Sequence, residues 1–242
     1  MTRMKLSVLT PVYATRANNR LQMLLRAVQS VKDQHMTDYE HIVIDDGSPI
    51  DILKKIKHDR LKYIWKPHTG VLETTYTLNS MLVAAVGEYC IMLGSDDYFI
   101  PDMLPVLVRY LDDNPDCIAV TAAAIHTYDD GRPERLVSDT VYVNIKDRLL
   151  TCNPVHCCAT MFRRSGLNKI QLPPDGVGHT WDLDLWLKLS ELGTIERIPD
   201  IVVYYPRHAG TNETTTSKDP DRRALEMAET FKRARLRRGL PV

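Results

Sequence analysis

No stretch of this chain is both long and apolar enough to span a membrane, and Met1 to Lys5 leads into a strand pattern rather than a signal peptide. A cytoplasmic protein is therefore expected, with placement at a membrane periphery as the one variation. Net charge is missing too. Lys+Arg and Asp+Glu each total 31, which removes whole-surface attraction to nucleic acid or anionic lipid and leaves only local patches. The five cysteines are an odd number and include no C-x-x-C pair. Cys152 and His156-Cys157-Cys158 therefore read as reduced structural thiols rather than a zinc site or a disulfide framework. Glycine is absent from Ala14 to Asn19, just after the first strand pattern. A nucleotidyltransferase would carry a glycine-rich phosphate loop there, so that class is disfavoured.

What the chain does have is two acidic clusters, each ending an apolar run: His41 to Ser48, with Asp45-Asp46, and Tyr89 to Tyr98, with Asp96-Asp97. An apolar run that stops at paired carboxylates reads as a buried parallel strand delivering acids to the carboxyl edge of a sheet. Ligands of open α/β sheets bind at that edge. Two like-charged pairs brought close together repel unless a cation or polar ligand lies between them. Hard carboxylate oxygens suit Mg²⁺ or Mn²⁺ holding a diphosphate.

The first half alternates strand and helix signals. Strands are expected at 6–13, 39–44, 61–65, 88–93 and 117–125, and helices at 21–34, 50–58, 74–86 and 101–113. Repeated βα units of this kind build a mostly parallel, Rossmann-like sheet flanked by helices. The rhythm then fades. Strands are expected at 136–143, 160–163 and 201–205, a helix at 182–192, and a terminal helix from 219 with Ala224, Met227, Ala228, Phe231 and Ala234 on one face. The division expected is a nucleotide-binding half at 1–98, an acceptor half at 99–218 continuous with it, and a C-terminal helix at 219–242. The basic run Lys232 to Arg238 suits a solvated helix end. Weak contact with an anionic surface is the alternative.

The order of these motifs resembles the inverting family 2 glycosyltransferases of the GT-A fold. The resemblance rests on Leu9 to Tyr13, Ile42 to Ser48, Gly87 to Asp97 and Trp181 to Trp186, and covers the chain to about Gly210. It implies an α/β GT-A sheet with a small mixed extension on the acceptor side. It also implies a nucleotide-sugar donor, most simply UDP-linked, and a divalent cation, Mn²⁺ or Mg²⁺.

Carried over residue by residue, the resemblance gives Pro11, Val12 and Tyr13 the base pocket. A tyrosine ring at a strand edge offers a flat face for a pyrimidine, or it packs under the next loop. Asp45 and Asp46 match the pair that reads the uracil edge and ribose, although one of them could instead cap the turn after Ser48. Asp96 matches the ribose carboxylate and Asp97 the metal ligand, while Gly94 stands where the family has a further acid. Leu78 replaces a common arginine, which leaves Asn79 as a helix-packing polar residue. Asp182 falls at the position of the general base, and Asp184 faces another neighbour. Trp181 either stacks on an acceptor sugar or staples its helix. Arg207 suits the diphosphate and His208 a metal or phosphate contact. The Thr-rich segment 209–217 has the composition of a lid.

The competing readings are a nucleotidyltransferase and a catalytically silent nucleotide-sugar-binding module. Acceptor loops vary within one fold, so a glycan, lipid, protein or modified nucleobase acceptor is compatible with the chain.

Overall fold

The computed structural model describes residues 4–56, 58–68, 74–130, 132–137, 144–172, 180–207 and 220–241. In chain order the elements are β1 (Leu6–Val12), α1 (Arg20–Lys32), β2 (Tyr39–Asp45), β3 (Leu61–Trp65), α2 (Thr74–Ala84), β4 (Tyr89–Met92), β5 (Tyr98–Phe99) and α3 (Met103–Asp113). There follow β6 (Cys117–Tyr128), β7 (Arg135–Val137), α4 (Ile145–Arg148), β8 (Thr160–Arg163), α5 (Trp181–Leu189), β9 (Thr194–Arg207) and α6 (Pro220–Arg237).

All the strands join one sheet in the order β3-β2-β1-β4-β8-β6-β9-β5, with β7 added on β6. β1 pairs in parallel with β2 and β4, and β2 with β3. This is the fully buried parallel core that continuous apolar runs predict. β8 then enters between β4 and β6, antiparallel to both. β6 thus keeps the direction expected of it without touching β4, and it pairs in parallel with β9. The mixed character of the second half arises at this insertion.

Side-chain alternation along β4 splits the core into two layers. Tyr89, Ile91 and Leu93 pack with α1 and α3, whereas Cys90 and Met92 pack with α2, α5 and α6. Because β1, β2 and β4 are parallel, their carboxyl ends, and the acids they carry, meet at one edge.

Three sequence expectations are corrected. The helix expected at 50–58 is absent. Residues 53–55 form only a turn, closed by Lys55 N–H donating to the Ile52 carbonyl, with Lys54 N–H donating to the Asp51 side chain, while Ile52 and Ile56 are buried. The i, i+4 isoleucines that imitate a helical stripe are satisfied by one turn packed on the sheet, too short to nucleate a helix. The last strand is longer than expected, Thr194–Arg207, because it zips along almost all of β6. α3 starts at Met103, after Asp102 in the left-handed conformation at φ 61°, so Pro101 precedes the helix rather than opening it. The 173–178 loop, most of the strand expected at 136–143, His208 and the 209–217 segment lie outside the described residues. No helix among the described residues is long and apolar enough to cross a membrane.

Candidate active site

A cleft of about 840 Å³ opens at the carboxyl edge. The end of β1 brings Pro11, Val12 and Tyr13 to it, and the end of β2 brings Asp46. The turn after β4 brings Gly94 to Asp97, α5 brings Asp182, and the end of β9 brings Tyr205 and Arg207. Side chains far apart in sequence are therefore assembled in one place, as the order of motifs implied.

At the β2 end the two acids separate. Asp45 is fully buried and does not line the cleft. Its Oδ2 accepts from the Tyr63 hydroxyl and its Oδ1 from Ser48 N–H at 2.8 Å. This corrects its expected part in reading base and ribose: both oxygens already hold the turn together. Asp46 does line the cleft. Lys66 pairs with it, His68 Nδ1 lies 2.7 Å away, and Thr77 donates at 3.2 Å. Burial works against its ionisation, but Lys66 and His68 prevail and hold its pKa below the usual range. His68 also stacks on Tyr13, with centroids 4.4 Å apart and planes 20° apart. Gly47, at φ 74°, allows this approach, because a Cβ there would overlap the His68 backbone nitrogen.

At the β4 end Asp96 is ion-paired with Arg20, and Arg26 donates to its carbonyl at 3.3 Å. Asp97 is buried. Its Oδ2 accepts from the Cys158 thiol at 3.0 Å, and its Oδ1 has no hydrogen-bond partner. Burial pushes its pKa up, and the charge of Asp96 adds to that. The glycine at 94 fits this arrangement, since a Cβ there would overlap Asp97 Oδ2. The acid missing from the motif is therefore matched by a carboxylate folded back over the vacated space.

This is the observation that tests a divalent cation. A buried, unpartnered carboxylate oxygen on a cleft is a fitting ligand for a hard ion. Among the described residues no group of three His, Cys, Asp or Glu side chains could hold a metal by itself. The protein would thus supply a minority of the ligands, as Mg²⁺ and Mn²⁺ bound through substrate phosphates allow. All five cysteines are free, and burial raises the pKa values of the Cys157 and Cys158 thiols.

Across the cleft Asp182 opens α5. Its Oδ1 accepts from Leu183 N–H at 2.8 Å and its Oδ2 from the Asn153 amide at 2.9 Å. Burial raises its pKa, partly offset by those two donors. A carboxylate so held is oriented and more basic than a solvated one. Asp184 faces elsewhere, buried and paired with Lys188 at 2.5 Å. Trp181 is 2% exposed, and its indole N–H donates to Asn79 at 3.0 Å. Of its two readings, the helix staple stands and the sugar-stacking one is corrected, because no face of the ring is exposed. Asn79 packs helices together, as expected.

Arg207 lines the cleft beside Tyr205, whose ring also neighbours His126 and His156. Burial depresses both histidines, His126 to about 4 and His156 to about 3, so both are neutral. Arg20, Asn153, His126, His156 and Arg223 belong to the cleft but to no recognised motif. Asn153 and His156 come from a loop, Arg20 and Arg223 from the first turns of α1 and α6, and His126 from the far end of β6, so no shared spacing links them. At the basic end of α6, where Lys232 and Arg237 are exposed, Arg237 and the following Arg238 pair with Glu191, and Arg238 also donates to Ser190.

Comparison with known proteins agrees with this geometry. Residues 7–170 match the family model described as glycosyl transferase family 2. An uncharacterized glycosyltransferase of Rickettsia conorii is 26% identical over 222 residues, covering 90% of this chain and 35% of that protein. The chain thus spans about a third of the length of the curated relatives it matches first. Among solved structures, S. aureus TarS 1-349 in complex with UDP superposes with a TM-score of 0.72 at 18% identity, covering 96% of this chain and 66% of that one. The mannosyltransferase PcManGT of Pyrobaculum calidifontis, in complex with GDP-Man and Mn²⁺, gives a TM-score of 0.64 at 16% identity, with coverages of 96% and 64%. The shared fold is GT-A, and the chain belongs to glycosyl transferase family 2.

Proposed function

We propose that this chain moves a sugar from a UDP-linked donor to an acceptor hydroxyl with inversion at the anomeric carbon, using Asp182 as general base. The reading is carried by one observation: Tyr13, Asp46, Asp96, Asp97, Arg207 and Asp182 line the same cleft. Tyr13 and Asp46 would take the base. Asp96, held by Arg20, would take the ribose, and Arg207 the diphosphate. The half at 1–98 would thus hold the donor and the half at 99–218 the acceptor.

In the reaction the acceptor oxygen attacks the anomeric carbon from the face opposite the leaving group. Asp182 takes the hydroxyl proton as the new C–O bond forms. The bond from the anomeric carbon to the diphosphate oxygen breaks, and its electron pair leaves with UDP. Arg207 would stabilise that growing charge. A divalent cation, Mn²⁺ or Mg²⁺, held by Asp97 together with the donor, would neutralise the diphosphate as a Lewis acid. His208 would be a further contact. The complexes of TarS with UDP and of PcManGT with GDP-Man and Mn²⁺ support a nucleotide-sugar donor and a divalent ion. The reading places the protein in the cytoplasm or against a membrane surface.

The test is UDP release by purified protein across a panel of UDP-sugars, alongside calorimetric titration of UDP. Release with at least one sugar supports transferase chemistry. UDP binding without release under any donor would favour the silent binding module instead.

A further inference from the structure

A second recess, of about 310 Å³, lies behind α5, walled by α6 and by residues 169–171. It is separate from the cleft, since Asp182 lines one and Asp184 the other. Four cations, Lys169, Lys188, Arg233 and Arg237, face two carboxylates there, Asp184 and Glu191. The pairs Lys188–Asp184 and Arg237–Glu191 account for two of those cations. Lys169 has no ion-pair partner among the described residues. Among the described residues Arg233 donates one nitrogen, to Thr230 at 3.3 Å, while its buried Nε has no partner. On the α5 side Asp184 is 1% exposed and leaves Oδ1 without a partner among the described residues.

A buried guanidinium N–H and a buried carboxylate oxygen, both unsatisfied, are costly in an interior, and because the side chains that carry them line the recess, a small turn of each would let one ligand there answer both. The excess positive charge asks for an anion, the orphan Asp184 oxygen for a hydroxyl donor. Ile170 and Leu192 add apolar wall against which the C–H face of a ring can lie. We infer that this recess binds a small phosphorylated polyol, with its phosphate on Lys169 and Arg233 and a hydroxyl donating to Asp184. The inference is independent of the transfer reaction and needs no group from the cleft. Occupancy would bear on α5, the helix whose first turn carries Asp182.

Calorimetric titration with inorganic phosphate, glucose and glucose 6-phosphate tests it. Glucose 6-phosphate should bind one site, more tightly than inorganic phosphate, and glucose should not bind detectably. The double variant Lys169→Ala with Arg233→Gln, its fold checked by circular dichroism, should weaken that binding at least about tenfold, the equivalent of one lost charge-assisted hydrogen bond. Asp184→Asn should reduce the advantage of glucose 6-phosphate over inorganic phosphate. Arg207→Ala, in the cleft, should leave the binding unchanged. Absence of binding to the parent protein, binding lost in Arg207→Ala but kept in the double variant, or equal affinity for phosphate and glucose 6-phosphate would each overturn the inference.

Discussion

The ends of β2 and β4 carry the same feature, a pair of aspartates closing an apolar strand, and use it differently. At the β2 end Asp45 turns inward and has both oxygens satisfied by Tyr63 and Ser48, while Asp46 faces the cleft among cations. At the β4 end both acids line the cleft. There the inward one, Asp97, keeps one oxygen unsatisfied, and the outward one is held by Arg20. Asp45 ends β2 and Asp46 follows it, while Asp96 and Asp97 lie in the turn after β4, and in each pair the two side chains take different surroundings. What differs is the supply of local donors: a turn with a free backbone N–H and a tyrosine completes Asp45, whereas a glycine and a thiol leave Asp97 incomplete. The same sequence signal thus marks a structural carboxylate in one place and a ligand-ready one in the other.

That comparison can be broken at several points. The largest effect is expected across the cleft, where Asp182 and Asp184 repeat the division within one helix. Asp182→Asn should lower the rate by about 10²–10⁴ while UDP binds as in the parent. Asp184→Asn should retain most activity and lower the melting temperature, because it leaves Lys188 buried without its counter-charge. Reversed results in UDP-release assays would move the base to Asp184.

At the β4 end, Asp97→Ala should fold and lose most Mn²⁺-dependent UDP affinity, about tenfold or more, since the unsatisfied oxygen is the one offered to the ion. UDP titrations with and without Mn²⁺ decide this, and unchanged metal dependence would remove Asp97 from the site. At the β2 end the expectation is the opposite. Asp45→Asn should cost about 1–3 kcal/mol of stability, because a donor is left facing donors, with little change in kcat. Asp46→Asn should raise the donor KM with little change in stability. Denaturation curves set beside KM measurements would sharpen or erase the distinction.

The effect least tied to the cleft concerns His41, which is fully buried beside Thr10 and depressed by burial to about 3. An unfolded histidine protonates near its ordinary 6.5, so acid favours the unfolded chain. This contribution is complete above about pH 6.5 and is lost as pH falls toward 3. His41→Asn should therefore flatten the fall in stability between pH 6.5 and 4 by up to about one proton, about 1.4 kcal/mol per pH unit. An unchanged slope in chemical denaturation would contradict it.

Sequence and structure agree best where physics is local. β1, β2 and β4 were legible because strands buried on both faces must be apolar throughout. Asp182 was singled out by the family resemblance of Trp181 to Trp186, and it lies in the first turn of α5. Two failures have one cause, packing that sequence periodicity does not record. Ile52 and Ile56 imitate a helix and are satisfied by a turn. Trp181 reads equally as sugar platform or staple until Asn79, 102 positions away, takes its N–H. The insertion of β8 between β4 and β6 was invisible for the same reason, as were Asn153 on Asp182 and Arg20 on Asp96. Each is a pairing between segments far apart in the chain, a strand in the first case, a loop residue and a helix end in the others.

The central claim, inverting transfer with Asp182 as base, is tested most directly by the anomer first released. Water can replace the acceptor at the anomeric carbon, so the slow hydrolysis of a UDP-α-sugar, followed by proton NMR before mutarotation, reports the stereochemistry without a known acceptor. The account predicts the β-anomer first, with the signal lost in Asp182→Asn. First release of the α-anomer would contradict it.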